Sequence, residues 1–391
     1  MQDFETKTIV VLGAGWAGIT LTHQLLKHVL PKVPELRVVL VSPNTHFFWN
    51  IAAPRGIIPN TLTDDELFVP IAPAFAKYPP TAFEFVLATA ETIEPQSNTV
   101  TVRLGDCEAA KLCDGEDLRE IAYDQLVVAI GSRVFHNLPL KAVGNHAETL
   151  AALHDLQAKI ASARSIVVGG AGPTAVEVAG ELASHYRRSK EITLVANSDL
   201  VLADQTHNVR VTAEKDLLKL GVKIIHHNRA EKSEDGDKRA IHLSRGGTIY
   251  ADLFLPLYGV VVNNACIPQE FLDWEGNLKL DQTLRVQGTQ NIWGIGDVGN
   301  VEVKLLVALE GQTGHLINAL EAVLTGVGSS MEVYHPTNKT IIFFCFGRWR
   351  ASGQIGNWKI PGFFVSMFKG RRLFVDNAQS YVNGKTRQPA A

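Results

Sequence analysis

The chain has 391 residues, 46% of them hydrophobic, and a formal net charge of −3 from 37 basic and 40 acidic side chains. That length suits two or three domains with sizeable cores, and interspersed charges that nearly cancel give no field for nucleic acid, so polyanion partners are disfavoured. The four cysteines, Cys107, Cys113, Cys266 and Cys345, form no CxxC pair and no metal-ligand spacing, which points to a reducing, cytoplasmic compartment rather than a disulfide scaffold.

The N-terminus runs from "MQDFETK" straight into "TIVVLGAG". No signal peptide is expected, and Gln2 stands where N-myristoylation needs a glycine. No apolar run is long enough to span a bilayer, so any membrane contact is expected to be peripheral. Thr8 to Leu12 is a short β-branched run of the kind buried in a parallel strand, followed by Gly13, Gly15 and Gly18 in the spacing GxGxxG. Ile19, Leu21, Leu25, Leu26 and Val29 then recur at roughly helical spacing, and "LRVVLVS" reads as the next strand. In such a βαβ unit Gly13 makes the tight turn, Gly15 lets the backbone approach a pyrophosphate, and Gly18 allows the helix to touch the strand. The helix N-terminus offers free N–H groups to the anion, and Trp16 and Ala17 are expected cofactor contacts in the same turn. The second strand ends Val41, Ser42, Pro43, Asn44, with no acid for the ribose. Ser42 or Asn44 is left to make that contact.

Cys107 and Cys113 lie in the polar stretch "GDCEAAKLCDGEDLRE", which reads as a hairpin loop carrying free thiols rather than a redox pair. "YDQLVVAIGS" (Tyr123 to Ser132) follows, with Gly131 near its end. A second glycine turn comes behind Ser165 to Val168: Gly170, Gly172 and Ala175 in the spacing GxGxxA, with Pro173 and Thr174 between them. Its helix runs through Glu177 and Glu181 to His185, and "EITLVANS" supplies the next strand. Glu177 falls in the first helical turn, where the dipole favours an acid. Asn197 stands where an acid would hold the ribose of NADH. No cluster of arginines selects a 2′-phosphate either, so discrimination between NADH and NADPH is expected to be modest. Two such sites in one chain suggest two dinucleotides with electron transfer between them.

His226 and His227 read as a surface pair, and the thirteen histidines contain no HExxH, so no metal is expected. The absence of a GxSxG elbow argues against hydrolysis. Gly259 is a further expected cofactor contact. In "NIWGIGDVGN", Gly294 and Gly296 in register favour a cofactor role for Asp297 over a plain N-cap, and Lys304 follows that turn, either near the cofactor or on the surface. "TIIFFCFGRWRASGQIG" predicts two strands of a hairpin, and "WKIPGFFVSMFKGRRLFV" is aromatic, apolar and basic together. This is expected to be a small cap with a face suited to a membrane or a lipophilic acceptor.

In order and spacing, the two glycine turns, "YDQLVVAIGS" and "NIWGIGDVGN" resemble the pyridine nucleotide-disulfide oxidoreductase superfamily over almost the whole chain. The resemblance implies an α/β fold of two doubly wound, Rossmann-like, glutathione-reductase-like domains. FAD would occupy the first, residues 1–135 and 258–328, with Asp297 meeting the flavin ribityl chain. NADH or NADPH would occupy the inserted second, residues 136–257, and residues 329–391 would form the α+β cap.

With no redox CxxxxC or CxxC, the chain resembles the branch of apoptosis-inducing-factor-like proteins and type II NADH dehydrogenases. "THFFWNIAAPRG", "GPTAVEVAGEL", "LVLADQ" and "MFKGRRLFV" are similar to the family of ferroptosis suppressor protein 1. That resemblance implies hydride transfer from NAD(P)H to FAD and electron transfer to a quinone-type small molecule. It implies that Glu177 is the acid near the nicotinamide and Lys369 a lysine close to the flavin; with Lys304 these are the catalytic candidates. It also implies that Pro54 and Arg55 approach the flavin; the Arg could hold a phosphate or a flavin carbonyl through its planar fork, which is favoured here, or simply be solvated. The rivals are a flavin-dependent tailoring oxidoreductase of a secondary metabolite and a signalling protein of the apoptosis-inducing-factor kind with weak turnover. The sequence selects neither a monomer nor a homodimer.

Overall fold

The first apolar run forms the strand Lys7–Leu12, buried from Ile9 onward and flanked in parallel by Leu36–Ser42 and Gln125–Val128. The computed structural model describes residues 6–105, 117–234, 236–326, 332–337 and 340–385; Cys107 and Cys113 lie outside them. Phe83–Glu94 extends the parallel array beyond Leu36–Ser42, and Ile292–Gly294 extends it beyond Gln125–Val128. Helices cover such an array on both faces, which is why its strands read as continuous Val, Ile and Leu rather than as an alternation. Phe83–Glu94 then changes partner. Its outer half pairs antiparallel with Thr99–Leu104, bulged between Ala90 and Thr92, and Leu118–Ala122 completes a seven-stranded sheet.

The second sheet has four parallel strands in the order Lys223–Ile225, Glu191–Val195, Ser165–Gly169 and Leu253–Pro256. An antiparallel sheet of Ala230–Glu234, Arg239–Leu243 and Thr248–Ala251 covers one side of it, over a small core of its own that includes Ile241 and Ala251. The chain leaves the first sheet after Gln125–Val128 and re-enters it at Ile292–Gly294. The exit and return strands, Ser132–Val134 and Val260–Val262, pair with each other. The architecture is therefore mixed α/β, two Rossmann-like sheets with the second inserted into the first.

The predicted C-terminal hairpin is present as Ile341–Cys345 and Ala351–Ile355, with Trp358–Ile360 added as a third strand. After it come the short helix Gly362–Val365, a wider π-type turn over Ser366–Gly370, and the helix Ala378–Val382. This tail is fastened to the first domain by buried polar contacts. The indole of Trp49 donates to Leu373 O at 3.0 Å, and the hydroxyl of Tyr381 donates to Trp16 O at 2.8 Å. His23 Nε2 sits 2.8 Å from Val382 O and Nδ1 sits 2.9 Å from the Tyr78 hydroxyl. A carbonyl can only accept, so Nε2 carries the proton and Nδ1 receives the phenol.

Candidate active site

A cavity of about 660 Å³ opens at the carboxyl ends of the first sheet. Of the expected cofactor residues, Gly13, Gly15, Trp16, Ala17, Ser42, Gly131, Gly296 and Asp297 line it, as does Lys304. The first turn has the geometry that its glycines demand. Gly13 has φ +100°, and a Cβ there would meet Ala129 O at 2.5 Å. Gly18 does not reach the cavity: it packs beneath the turn, where a Cβ would meet Gly13 O at 1.7 Å. At Gly15, the N-cap of Trp16–Gln24, an added Cβ would have nothing within 4 Å, so the helix N–H groups face open space, as a phosphate requires. Ser42 Oγ accepts from Asn44 N at 3.1 Å.

Asp297 and Glu302 are the carboxylates on the described lining. Asp297 Oδ2 accepts from the Ser132 hydroxyl and from Lys141 Nζ, each at 2.6 Å, while Lys141 also reaches Ser132 Oγ at 2.9 Å. Burial works against this charge, yet the Lys141 ammonium, the hydrogen bonds from Lys141 and Ser132, and Lys304 together hold the carboxyl below the usual carboxylate range. Oδ1 has no hydrogen-bond partner among the described residues, which leaves it for a hydroxyl donor in the cavity. Lys304 is tied down rather than free: Nζ donates to Asn277 Oδ1 at 2.8 Å and to Asp297 O at 2.7 Å. Burial lowers its pKa. Gln312 accepts from Gly296 N at 2.7 Å and so braces the same turn. Sequence reading missed Lys141 and Gln312. Ser132 closes the "YDQLVVAIGS" motif and was within reach of it; Lys141 sits in irregular chain with no pattern around it.

The second turn repeats the first. Gly170 has φ +107°, with Leu257 O at 2.3 Å from an added Cβ, and Gly172 caps the helix Pro173–Tyr186 with open space around it. Pro173 and Thr174 are exposed and Ala175 is buried under the turn. Asn197 is exposed just beyond Glu191–Val195. The next carboxylate along the chain, Asp199, is engaged by Arg210 at 2.6 Å. Gly259, φ +114°, lies in the return segment and accepts from Phe135 N at 3.2 Å, off the large cavity.

Glu177 is the fifth residue of its helix, because Pro173 begins it; it is therefore beyond the first turn, and the dipole does not account for it. Instead Oε1 accepts from Cys345 N at 2.9 Å and from Lys369 Nζ at 3.1 Å. Lys369, on the π-type turn, is buried and also donates to Phe343 O at 2.6 Å. Burial alone would lower its pKa, but the Glu177 carboxylate beside it, with Glu181 behind, raises it above the ordinary lysine value. Burial pushes the neighbouring Cys345 thiol up, and the Cys266 thiol on the large cavity up to about 11, so both stay protonated at neutral pH.

Pro54 and Arg55 are placed away from the large cavity. Arg55 is 3% exposed, and four of its five N–H donors go to protein: Nε and Nη2 donate to Glu181 at 2.9 and 2.8 Å, and Nη2 and Nη1 reach Gly370 O and Arg371 O at 2.7 and 2.9 Å. It ties the tail to the second helix, which is a structural duty. His226 pairs with Glu214 at 3.2 Å. Among the described residues no group of three or more His, Cys, Asp or Glu could hold a metal, and no helix is long and apolar enough to cross a membrane. Trp358, Phe363, Met367 and Phe368 of the tail are exposed.

Comparison with known proteins shows the family and the fold. The model of the pyridine nucleotide-disulphide oxidoreductase family matches residues 7–321. The chain is 37% identical to oxidoreductase ptaL of Pestalotiopsis fici, over 97% of this chain and 99% of that protein. It is 25% identical to ferroptosis suppressor protein 1 of Xenopus tropicalis, over 96% of this chain and 95% of that one. Among solved structures it is similar to the sulfide:quinone oxidoreductase of Aquifex aeolicus, with a TM-score of 0.75 at 17% identity, covering 96% of this chain and 92% of that chain.

Proposed function

Because the chain belongs to the pyridine nucleotide-disulphide oxidoreductase family, we propose that it oxidises NADH or NADPH through FAD and passes the electrons to a quinone-type acceptor without a redox disulfide. FAD, when bound, would supply the two-electron chemistry that links the nicotinamide to the acceptor. The chain's own part is to bind, orient and supply protons. The first turn and Ser42 would hold the FAD phosphates and ribose, and Asp297 Oδ1 a ribityl hydroxyl. Gly170, Gly172 and the N–H groups behind them would hold the nicotinamide dinucleotide.

The observation that carries the acceptor half is the Glu177–Lys369 pair, 3.1 Å apart where the second dinucleotide helix meets the C-terminal tail. Lys369 keeps its proton through the neutral range and can deliver it from Nζ to a reduced acceptor oxygen, while Glu177 holds the ammonium in place. The exposed aromatic face of the tail supports a lipophilic acceptor or contact with a lipid surface.

Anaerobic rapid mixing of the yellow holoprotein with NADH or NADPH, then with a quinone, tests the reading. Fast bleaching of the flavin followed by fast reoxidation is expected. Slow bleaching with a persistent charge-transfer band would replace it with a signalling role, and fast bleaching that no quinone reverses would replace it with a tailoring oxidoreductase of another acceptor.

A further inference from the structure

A second cavity, of about 340 Å³, has seven lining residues, and four of them are arginines: Arg55, Arg348, Arg371 and Arg372. Two of these are already neutralised. Arg55 is paired with Glu181, and Arg372 with Glu66 at 2.7 Å and Asp376 at 2.9 Å. Among the described residues no carboxylate pairs with Arg348 or Arg371. The Arg371 guanidinium lies over the ring of Trp349, 5.6 Å from its centroid, and that indole is itself on the lining and 74% exposed. Arg55, the buried member of the lining, has five N–H donors and spends four on Glu181, Gly370 and Arg371. The fifth, on Nη1, has no partner among the described residues, although the side chain is almost fully buried. Leu62 supplies an apolar wall.

Two unpaired guanidinia, a buried spare donor and a flat indole match a ligand that carries an anionic group on a planar ring. The cavity is also joined to the candidate reaction centre. Arg55 binds Glu181, one helical turn after Glu177, and the carbonyls of Gly370 and Arg371, next to Lys369.

We propose that this cavity binds the acidic group of the electron acceptor, which is then a planar quinonoid acid rather than a neutral quinone. The proposal rests on the reading of a quinone-type acceptor and narrows it. The same anion chemistry is present in the 2′-phosphate of NADPH, and the test separates the two sources.

The holoprotein is titrated calorimetrically with anthraquinone-2-carboxylate, with its methyl ester, and with NADH and NADPH, as wild type and as the double variant Arg348→Gln, Arg371→Gln. Both side chains are exposed, so the variant is expected to keep its fold and flavin content. Wild type is expected to bind the acid about tenfold or more tightly than the ester, the scale of charged hydrogen bonds. The double variant is expected to bind acid and ester equally, with NADH and NADPH affinities and flavin reduction by NADH unchanged. Equal affinity of wild type for acid and ester, or an acid preference that survives the double substitution, overturns the proposal. A loss confined to NADPH also overturns it, by assigning the cavity to the 2′-phosphate. An acid preference that depends on the two arginines supports the site even where anthraquinone-2-carboxylate fails to reoxidise the reduced flavin; that failure sinks the acceptor reading alone.

Discussion

Glu177 Oε1 and Lys369 Nζ stand 3.1 Å apart with only 13% and 9% of their side-chain surfaces exposed, which joins the second dinucleotide helix to the C-terminal tail across 192 positions of sequence. Removing one member of such a pair strands the other charge out of water. Glu177→Gln and Lys369→Met are each expected to cost about 3–5 kcal/mol. The double variant is expected to lose less than the sum, because neither charge is then left alone. Urea unfolding of all four holoproteins measures this; strictly additive losses would show that the two groups do not interact. The sign of the pH dependence follows from the raised Lys369 value. The pair's contribution is complete below the ordinary lysine value of 10.5 and is lost as pH climbs through the higher folded one.

Arg55 supplies a different discrimination. Its fork is bidentate to Glu181 and shared with two tail carbonyls, so Arg55→Lys keeps a charge but cannot fill that geometry. A loss of about 3 kcal/mol or more is expected, read as a lowered unfolding midpoint. The molecules that remain folded should hold FAD as wild type does. Flavin loss at unchanged stability would instead restore Arg55 to the cofactor.

His23 is a buried neutral base at the joint between Trp16–Gln24 and the tail. Burial, chiefly, lowers its pKa from 6.5 to about 4. The unfolded chain therefore binds a proton near pH 6.5 that the folded chain refuses until about pH 4, so this contribution is present above 6.5 and is lost as pH falls across that window. The loss should approach about 3 kcal/mol at the acid end, at 1.36 kcal/mol per pH unit. Denaturant unfolding at pH 7 and pH 5 checks it, and His23→Gln, which keeps a donor for Val382 O, should reduce the difference to the share of His46, His146 and His185, whose pKa values burial also lowers. An unchanged slope in that variant would place the titrating group elsewhere.

What the sequence disclosed followed from local geometry. Gly13 and Gly170 were legible because a backbone at φ near +100° beside a neighbouring carbonyl admits only glycine. The parallel strands were legible because burial on both faces removes the alternation of polar residues. Arg55 was misplaced because its partner, Glu181, lies 126 residues away, and nothing local separates a guanidinium aimed at a phosphate from one aimed at a buried carboxylate. Lys141 was missed for the same reason, its partner Asp297 being 156 residues off. Glu177 was read one turn too early because Pro173, at the first helical position, sets the start of the helix after Gly172.

The two equivalent glycines allow the two dinucleotide sites to be separated. An alanine at either position puts a methyl group into a carbonyl, its Cβ 2.5 Å from Ala129 O at position 13 and 2.3 Å from Leu257 O at position 170, and also forces a positive φ on a residue that resists it. Each turn must shift to relieve the clash, and the N–H groups behind it then lose their aim on a phosphate. Gly13→Ala is expected to give colourless protein, with FAD content down about tenfold or more, since several charged hydrogen bonds weaken together. Gly170→Ala should stay yellow, because the first turn is untouched, and should lose NADH-driven bleaching while dithionite still reduces it. Absorbance at purification and anaerobic rapid mixing read both outcomes. A colourless Gly170→Ala protein, or a yellow Gly13→Ala protein, would reverse the assignment of the two sites.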